Sequence, residues 1–109
     1  FGQLTGKYIN QTEKNSRLGL FGDWFTRYSN NECINAVKTY SEVATKHGLS
    51  LTHLALAFVN SQPFVTSNII GATTMKQLKE NIESVDVILS DEIIEEINQI
   101  HNSQPNPAP

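Results

Sequence analysis

The run Phe64–Ile70, Phe-Val-Thr-Ser-Asn-Ile-Ile, constrains this chain more than any other stretch. It is nearly continuous in apolar or small residues, as in a strand buried on both faces of a parallel α/β sheet. Such a strand needs neighbours on either side. The rest of the chain reads instead as about four helices joined by loops. The expectation is therefore one clear strand whose partners come from elsewhere, either from a part of the protein outside these residues or from another chain.

Beyond Ile70 the chain passes through Gly71 and Ala72 to Thr73 and Thr74 and then into a helical pattern. Thr74-x-x-Gln77 has the spacing of a capping box, which starts the helix near Met75. A strand that turns through glycine into a helix leaves unpaired N–H groups at the helix tip. Together with the positive end of the helix dipole they make a place for an anion. Thr73 lies just before the helix with its hydroxyl free. Gln77, Glu80 and Asn81 follow at spacings of three and four, along one side of the first two turns. Leu78, Ile82 and Val85 mark the other side, which must pack on something apolar. A donor-rich tip, a hydroxyl, an amide and a carboxylate together suit a phosphate with an attached sugar or base. An ordinary β–α junction has the same spacing, and from spacing alone it is the favoured reading, since capped helix starts are common.

Upstream, Phe1 to Tyr8 holds two glycines and a Thr-Gly pair and reads as loop. Lys7, Lys14 and Arg17 place three cations within eleven residues, through a polar stretch (10–16) with no apolar period. They suit a pyrophosphate clamp, although a solvated loop with scattered charge is the simpler reading. Phe21, Trp24, Phe25 and Tyr28 recur at helical spacing and predict a short helix burying an aromatic face. Only Arg27 interleaves them, which argues against a platform for single-stranded nucleic acid. Ser29 and Glu32 are spaced as a capping box. Ile34, Val37, Tyr40 (or Ser41) and Ala44 give the apolar face of the helix that follows, and Gly48 fits the left-handed position after its end. His47 reads as a surface histidine beside that end, and Cys33 as structural or incidental, although a first-turn thiol can have a lowered pKa.

Ser50 starts a further helix, with Leu51, Leu54, Ala55, Phe58 and Val59 on one face and Leu56 and Ala57 widening the arc, so that it is covered on more than one side. His53 has no partner at metal-ligand spacing, and no metal site is expected. Pro63 ends the helix. Ser90 caps the last one, with Leu89 and Ile94 as a staple, Ile93, Ile94, Ile97 and Ile100 buried, and Glu95, Glu96, Asn98 and Gln99 wet. The tail 102–109 carries three of the four prolines and reads as irregular.

The chain has 109 residues, enough for one modest core, and a net charge of -3, so wholesale nucleic-acid binding is not indicated. Charge is uneven. Residues 1–79 hold eight basic and four acidic residues, whereas residues 80–109 hold seven acidic and no basic ones. The first part can face an anion; the acidic last helix cannot. No apolar run reaches the roughly 20 residues of a membrane span. One cysteine excludes an internal disulfide and fits a reducing cytoplasm. No initiating Met or signal pattern opens the chain, which reads as a piece of a longer protein.

Gly71-Ala72-Thr73-Thr74-x-x-Gln77-Leu78-x-Glu80-Asn81 resembles the segment of aldo-keto reductases that binds the adenosine 2′-phosphate and the adenine of the cofactor. Phe25-Thr26-Arg27-Tyr28, Ala55-Leu56-Ala57-Phe58-Val59 and Gln62-Pro63-Phe64-Val65 are similar to the Tas-like bacterial branch of that family. Gly2, Gly6, Lys7 and Tyr8, with Arg17, resemble the family's loop that folds over the dinucleotide like a belt. The resemblance runs through the whole chain and covers the C-terminal third of such a reductase. It implies an α/β fold, the C-terminal part of a (β/α)8 TIM barrel, mostly helical in isolation. Residues 1–30 are then belt loop and aromatic segment. Residues 31–101 carry the helices, the last barrel strand and the cofactor helix, and 102–109 the tail. It implies NADP(H) as cofactor, with Lys7 and Arg17 on its phosphates. Gly71, Ala72, Thr73 and Gln77 would then lie around the 2′-phosphate and ribose, and Glu80 and Asn81 at the adenine. Some members carry a lysine and an arginine at the places of Gly71 and Gln77, so discrimination of a 2′-phosphate rests here on neutral donors and Arg17. The family's catalytic Asp, Tyr, Lys and His are not found in these residues. The expectation is a parent that reduces aldehydes or ketones with NADPH and a 109-residue chain that is inactive alone. In it the apolar face meant for the missing N-terminal barrel half drives self-association or partial unfolding. The alternatives are a non-catalytic NADP(H)-sensing relative and a helical interaction piece without a small ligand.

Overall fold

The computed structural model describes residues 2–10 and 14–109. Phe1, and residues 11–13 within the polar stretch read as part of the belt loop, lie outside the described residues. Five α-helices follow one another among the described residues: α1 (Arg17–Phe21), α2 (Asn31–Lys46), α3 (Leu51–Asn60), α4 (Met75–Glu83) and α5 (Asp91–Ser103). Short 3-10 turns stand at Gln3–Thr5, Gly22–Trp24, Thr26–Tyr28 and Ser84–Asp86.

α2 is capped by Asn30, whose Oδ1 accepts from the Cys33 N–H at 2.7 Å, rather than by Ser29. The Ser29 hydroxyl instead donates to the Thr26 carbonyl, closing the turn before the helix. The apolar stripe lies one step round from the expected one, with Cys33, Ala36, Val37, Val43 and Ala44 buried and Ile34 only partly so. At the far end Gly48 takes φ 69°. The Leu49 N–H reaches back to Ala44 O and that of Gly48 to Thr45 O, the two bonds of a Schellman motif.

α3 begins as expected, with Ser50 Oγ accepting from the His53 N–H at 3.1 Å. It buries Leu51, Thr52, Leu54 and Ala57, so it is enclosed on more than one side. α5 is capped by Ser90 and buries Ile93 and Ile97. The core sits where these three helices meet and joins Cys33, Val37, Val43 and Ala44 to Leu51, Leu54, Ile93 and Ile97. The tail is irregular from Gln104 onward, yet it is docked. Ala108 packs on the core, and the Pro107 carbonyl accepts from the capping Asn30 side chain at 3.2 Å. α4 buries no residue and leans on the outside of α3.

Two expectations are overturned. The strand at 64–70 does not form, and there is no strand among the described residues. A strand is held by ladder bonds to a neighbour, and among the described residues there is no second strand to pair with this run. Val65 N–H turns back to Gln62 O, the Asn68 side chain donates to Asn60 Oδ1, and Ile69 is 94% exposed. The aromatic helix also fails. The segment breaks after Phe21 into α1 and two 3-10 turns, and Trp24 is 85% exposed. At about three residues per turn a 3-10 segment does not keep a 3.6-residue stripe on one face. Gly19 and Gly22 are also poor helix formers, in a segment too short to be stable by itself.

The chain exposes 7673 Å². A compact monomer of its 12.2 kDa exposes roughly 6,100 Å². Large apolar side chains are part of that exposure: Phe64, Ile69, Met75, Ile82, Val85 and Ile88 are all open. Of the face expected to pack on something apolar, only Leu78 is partly covered.

Candidate functional site

The start of α4 is built as the sequence indicates, with one change in wiring. Thr74 Oγ1 accepts from the Gln77 N–H at 3.2 Å, the first half of a capping box. The second half goes to a different residue. Gln77 Oε1 accepts from the Thr73 N–H at 2.9 Å and from the Thr73 hydroxyl at 3.0 Å. Thr73 is therefore not free; its hydroxyl is tied to the first turn of the helix. Asn81 Nδ2 donates to the Gly71 carbonyl at 3.1 Å and holds the loop down on the helix. The Ser50 hydroxyl donates to Glu80 Oε1 at 2.7 Å, and His53 Nε2 lies 2.9 Å from the Glu80 carbonyl oxygen.

These bonds fix the polarity of what is left. With its oxygen committed to Thr73, Gln77 presents an amide donor. With its NH2 committed to Gly71, Asn81 presents an amide oxygen, and Glu80 keeps a second carboxylate oxygen. The N–H groups of Met75 and Lys76 precede the first intrahelical bond, Leu78 N to Thr74 O, and have no partner in the helix. Donors thus lie at the tip and acceptors about two turns in. Residues 71–77 are all exposed. Nothing lies within 4 Å of where a Cβ on Gly71 would sit, and its backbone is not left-handed, so neither strain nor packing within the chain requires glycine there.

Sequence reasoning passed over Lys76. It stands exposed at the second position of α4, where a cation opposes the helix dipole unless an anion joins it. A lysine in the first turn of a helix that begins on a glycine-threonine loop is the signal that was available.

Tyr8 joins Lys7 to Ser16, the residue before Arg17. Lys7 folds back over Gly2 and lies 5.0 Å from the centre of the Tyr8 ring. Burial works to raise the Tyr8 phenol, but hydrogen bonds with Ser16 and Lys7 outweigh it and bring the group below its usual value of 10.0. Ser16 also caps α1 through the Gly19 N–H at 3.1 Å, and Arg17 is the first residue of that helix. The link from this group to α4 is indirect, runs through the start of α3 and reaches α4 at Glu80 rather than at its tip. A Cβ on Gly6 would lie 3.8 Å from Leu51 Cδ2, and Ser50 holds Glu80.

A second polar cluster joins α2 to α5. Lys46 Nζ is 2.7 Å from Glu96 Oε1 and 3.6 Å from Glu92 Oε1, and His47 Nε2 is 3.0 Å from the same Glu96 oxygen. His47 is thus a partly buried partner of α5 as well as a cap-proximal residue, and Glu96, expected on the wet face, turns inward. Ligand atoms of His47, Glu92 and Glu96 lie within 4.8 Å of one another, with the Lys46 ammonium already among them. Among the described residues no helix is long and apolar enough to cross a membrane.

A family model for the Aldo/keto reductase family matches residues 1–102. Protein tas of Escherichia coli (strain K12) is 46% identical over 109 residues, which are all of this chain and 32% of that protein, its C-terminal third. A putative voltage-gated potassium channel subunit beta of Schizosaccharomyces pombe is 33% identical over 111 residues, covering 95% of this chain and 32% of its own length. L-glyceraldehyde 3-phosphate reductase of Escherichia coli O157:H7 is 30% identical over 107 residues, covering 90% of this chain and 30% of its own. The chain belongs to the aldo-keto reductase family. It spans about a third of the length of the curated relatives it matches. The family's fold is a (β/α)8 barrel, of which this chain carries helices and, among its described residues, no strand.

Proposed function

We propose that this chain is the part of an NADP(H)-dependent oxidoreductase that grips the adenosine end of the cofactor, and that the intact protein reduces aldehydes or ketones. The observation that carries the reading is the order of free polar groups along α4. A phosphate finds the Met75 and Lys76 N–H groups, the Gln77 amide and the Lys76 charge. An adenine amine finds the Asn81 and Glu80 oxygens. From Met75 to Glu80 is five residues of helix, about 7–8 Å along its axis at ~1.5 Å per residue. That is of the order of the span from a ribose 2′-oxygen to the amine of its purine. Gly71 and Ala72 leave room for the ribose, while Lys7 and Arg17 serve the remaining phosphates. The catalytic acid lies outside these residues, so the 109-residue chain alone turns nothing over and binds the dinucleotide weakly.

Quenching of tryptophan emission by NADPH in the intact protein tests the reading, and an emission unmoved by saturating NADPH refutes it. A second reading, a dinucleotide sensor without turnover, is favoured by the similarity to a protein named as a channel subunit. Steady-state oxidation of NADPH with a panel of aldehydes separates the two.

A further inference from the structure

Ser50 does two things at once. Its oxygen accepts from the His53 N–H at 3.1 Å, which caps α3. Its proton goes to Glu80 Oε1 at 2.7 Å, across to α4. His53, one turn on, lies 2.9 Å from the carbonyl oxygen of the same Glu80. The first turn of α3 therefore holds Glu80 by side chain and by backbone. Capping needs only the lone pairs of Ser50, so its donated proton is not explained by the cap. Helix α4 buries no residue, which makes these bonds a main constraint on where the Glu80 carboxylate sits.

We propose that Ser50 is a positioning residue for base recognition. By occupying one oxygen of Glu80 it fixes the other to accept from the exocyclic amine of adenine, and so sets the preference for adenine over a 6-oxo purine. The inference rests on the cofactor reading above. A carboxylate attracts an amine at the purine 6-position and repels a carbonyl there. A Glu80 side chain free to rotate would discriminate less between them.

The test compares reduced NADP with its hypoxanthine counterpart, deamino-NADPH, by fluorescence titration of the intact protein. The wild type is expected to prefer adenine by about tenfold, the worth of one hydrogen bond to a charged group. Ser50→Asp keeps a good cap, has no proton to give and places a like charge beside Glu80. Ser50→Gly, also tolerated at a cap, removes the hydroxyl altogether. Both are expected to lose most of the adenine preference while the ratio of NADPH to NADH affinity stays unchanged; Ser50→Thr is expected to retain both ratios. An adenine preference intact in Ser50→Asp or Ser50→Gly overturns the inference and leaves the cofactor reading standing. No binding of either dinucleotide by the wild type overturns the cofactor reading itself, and the inference with it.

Discussion

Glu96 shows how much one side chain can carry across two helices. Hydrogen bonds from Lys46, then from His47, hold its carboxyl below the ordinary 4.5. Because the folded value is the lower one, the stability it contributes is present above pH 4.5 and drains away as pH falls through the folded value. Lys46 runs the other way. Its bond to Glu96 raises it above 10.5, so its contribution is complete below that pH and is lost as pH climbs through the higher folded value. Between these limits the pair contributes nothing to the pH dependence of stability. Urea midpoints should therefore hold from pH 5 to pH 9 with respect to this pair and fall below pH 4. Glu96→Gln should flatten the acid fall, and an equally steep fall in that variant would show that other carboxylates govern it. Cys33 illustrates competing effects at the same scale. The first turn of α2 favours a thiolate, but burial to 4% exposure pushes the thiol up instead. Its reaction with a thiol reagent at pH 8 should be slow in the native chain and fast in urea; a fast native reaction would mean that α2 frays at its start.

At the scale of elements, what was legible in the sequence was what is local. The caps at Ser50, Thr74 and Ser90 and the left-handed Gly48 each involve residues within five positions, and each is found where its motif stands. Gly48→Ala should cost about 1–2 kcal/mol in urea unfolding, the penalty for a Cβ in that region. A neutral result would mean that the α2 end rearranges. What was not legible needs a distant partner. Residues 64–70 have strand composition but no ladder beside them. His47 meets Glu96 across 49 positions. At the candidate site the residues were legible, but not the bonds among them. That Gln77 would serve Thr73, and Ser50 would reach Glu80, depends on how the loop and α3 fall around α4. That arrangement also ranks the helices. α4 has polar ties to α3 and no buried side chain, whereas α3 lies in the core. Amide exchange in α4 should run at least tenfold faster than in α3, since local opening there exposes little apolar surface. Equal protection would mean that the two helices open together.

The whole molecule carries a surplus of surface. The excess over a compact monomer is about 1,600 Å², roughly twice what one partner buries in an ordinary complex. It includes an unpaired run with strand composition, the outer face of α4 and the segment that follows it, which bring Phe64, Ile69, Met75, Ile82, Val85 and Ile88 into water. Surface of that kind is satisfied by another body or by association. The run at 64–70 adds a specific hazard, because a segment rich in β-branched residues with free backbone groups invites a strand from a second copy. For the isolated 109-residue chain, sedimentation equilibrium should show mass rising with concentration in the micromolar range. The dye ANS should bind with enhanced emission, and its signal should fall when Ile69 and Ile82 are replaced together by Ser. The core does not depend on those two positions, since both side chains lie outside the cluster joining α2, α3 and α5. The double variant should therefore keep its helical circular dichroism while losing the association. A chain that sediments as a monomer at all concentrations and ignores the dye would mean that this surface is tolerated in water as it stands, and that no missing partner needs to be invoked to cover it.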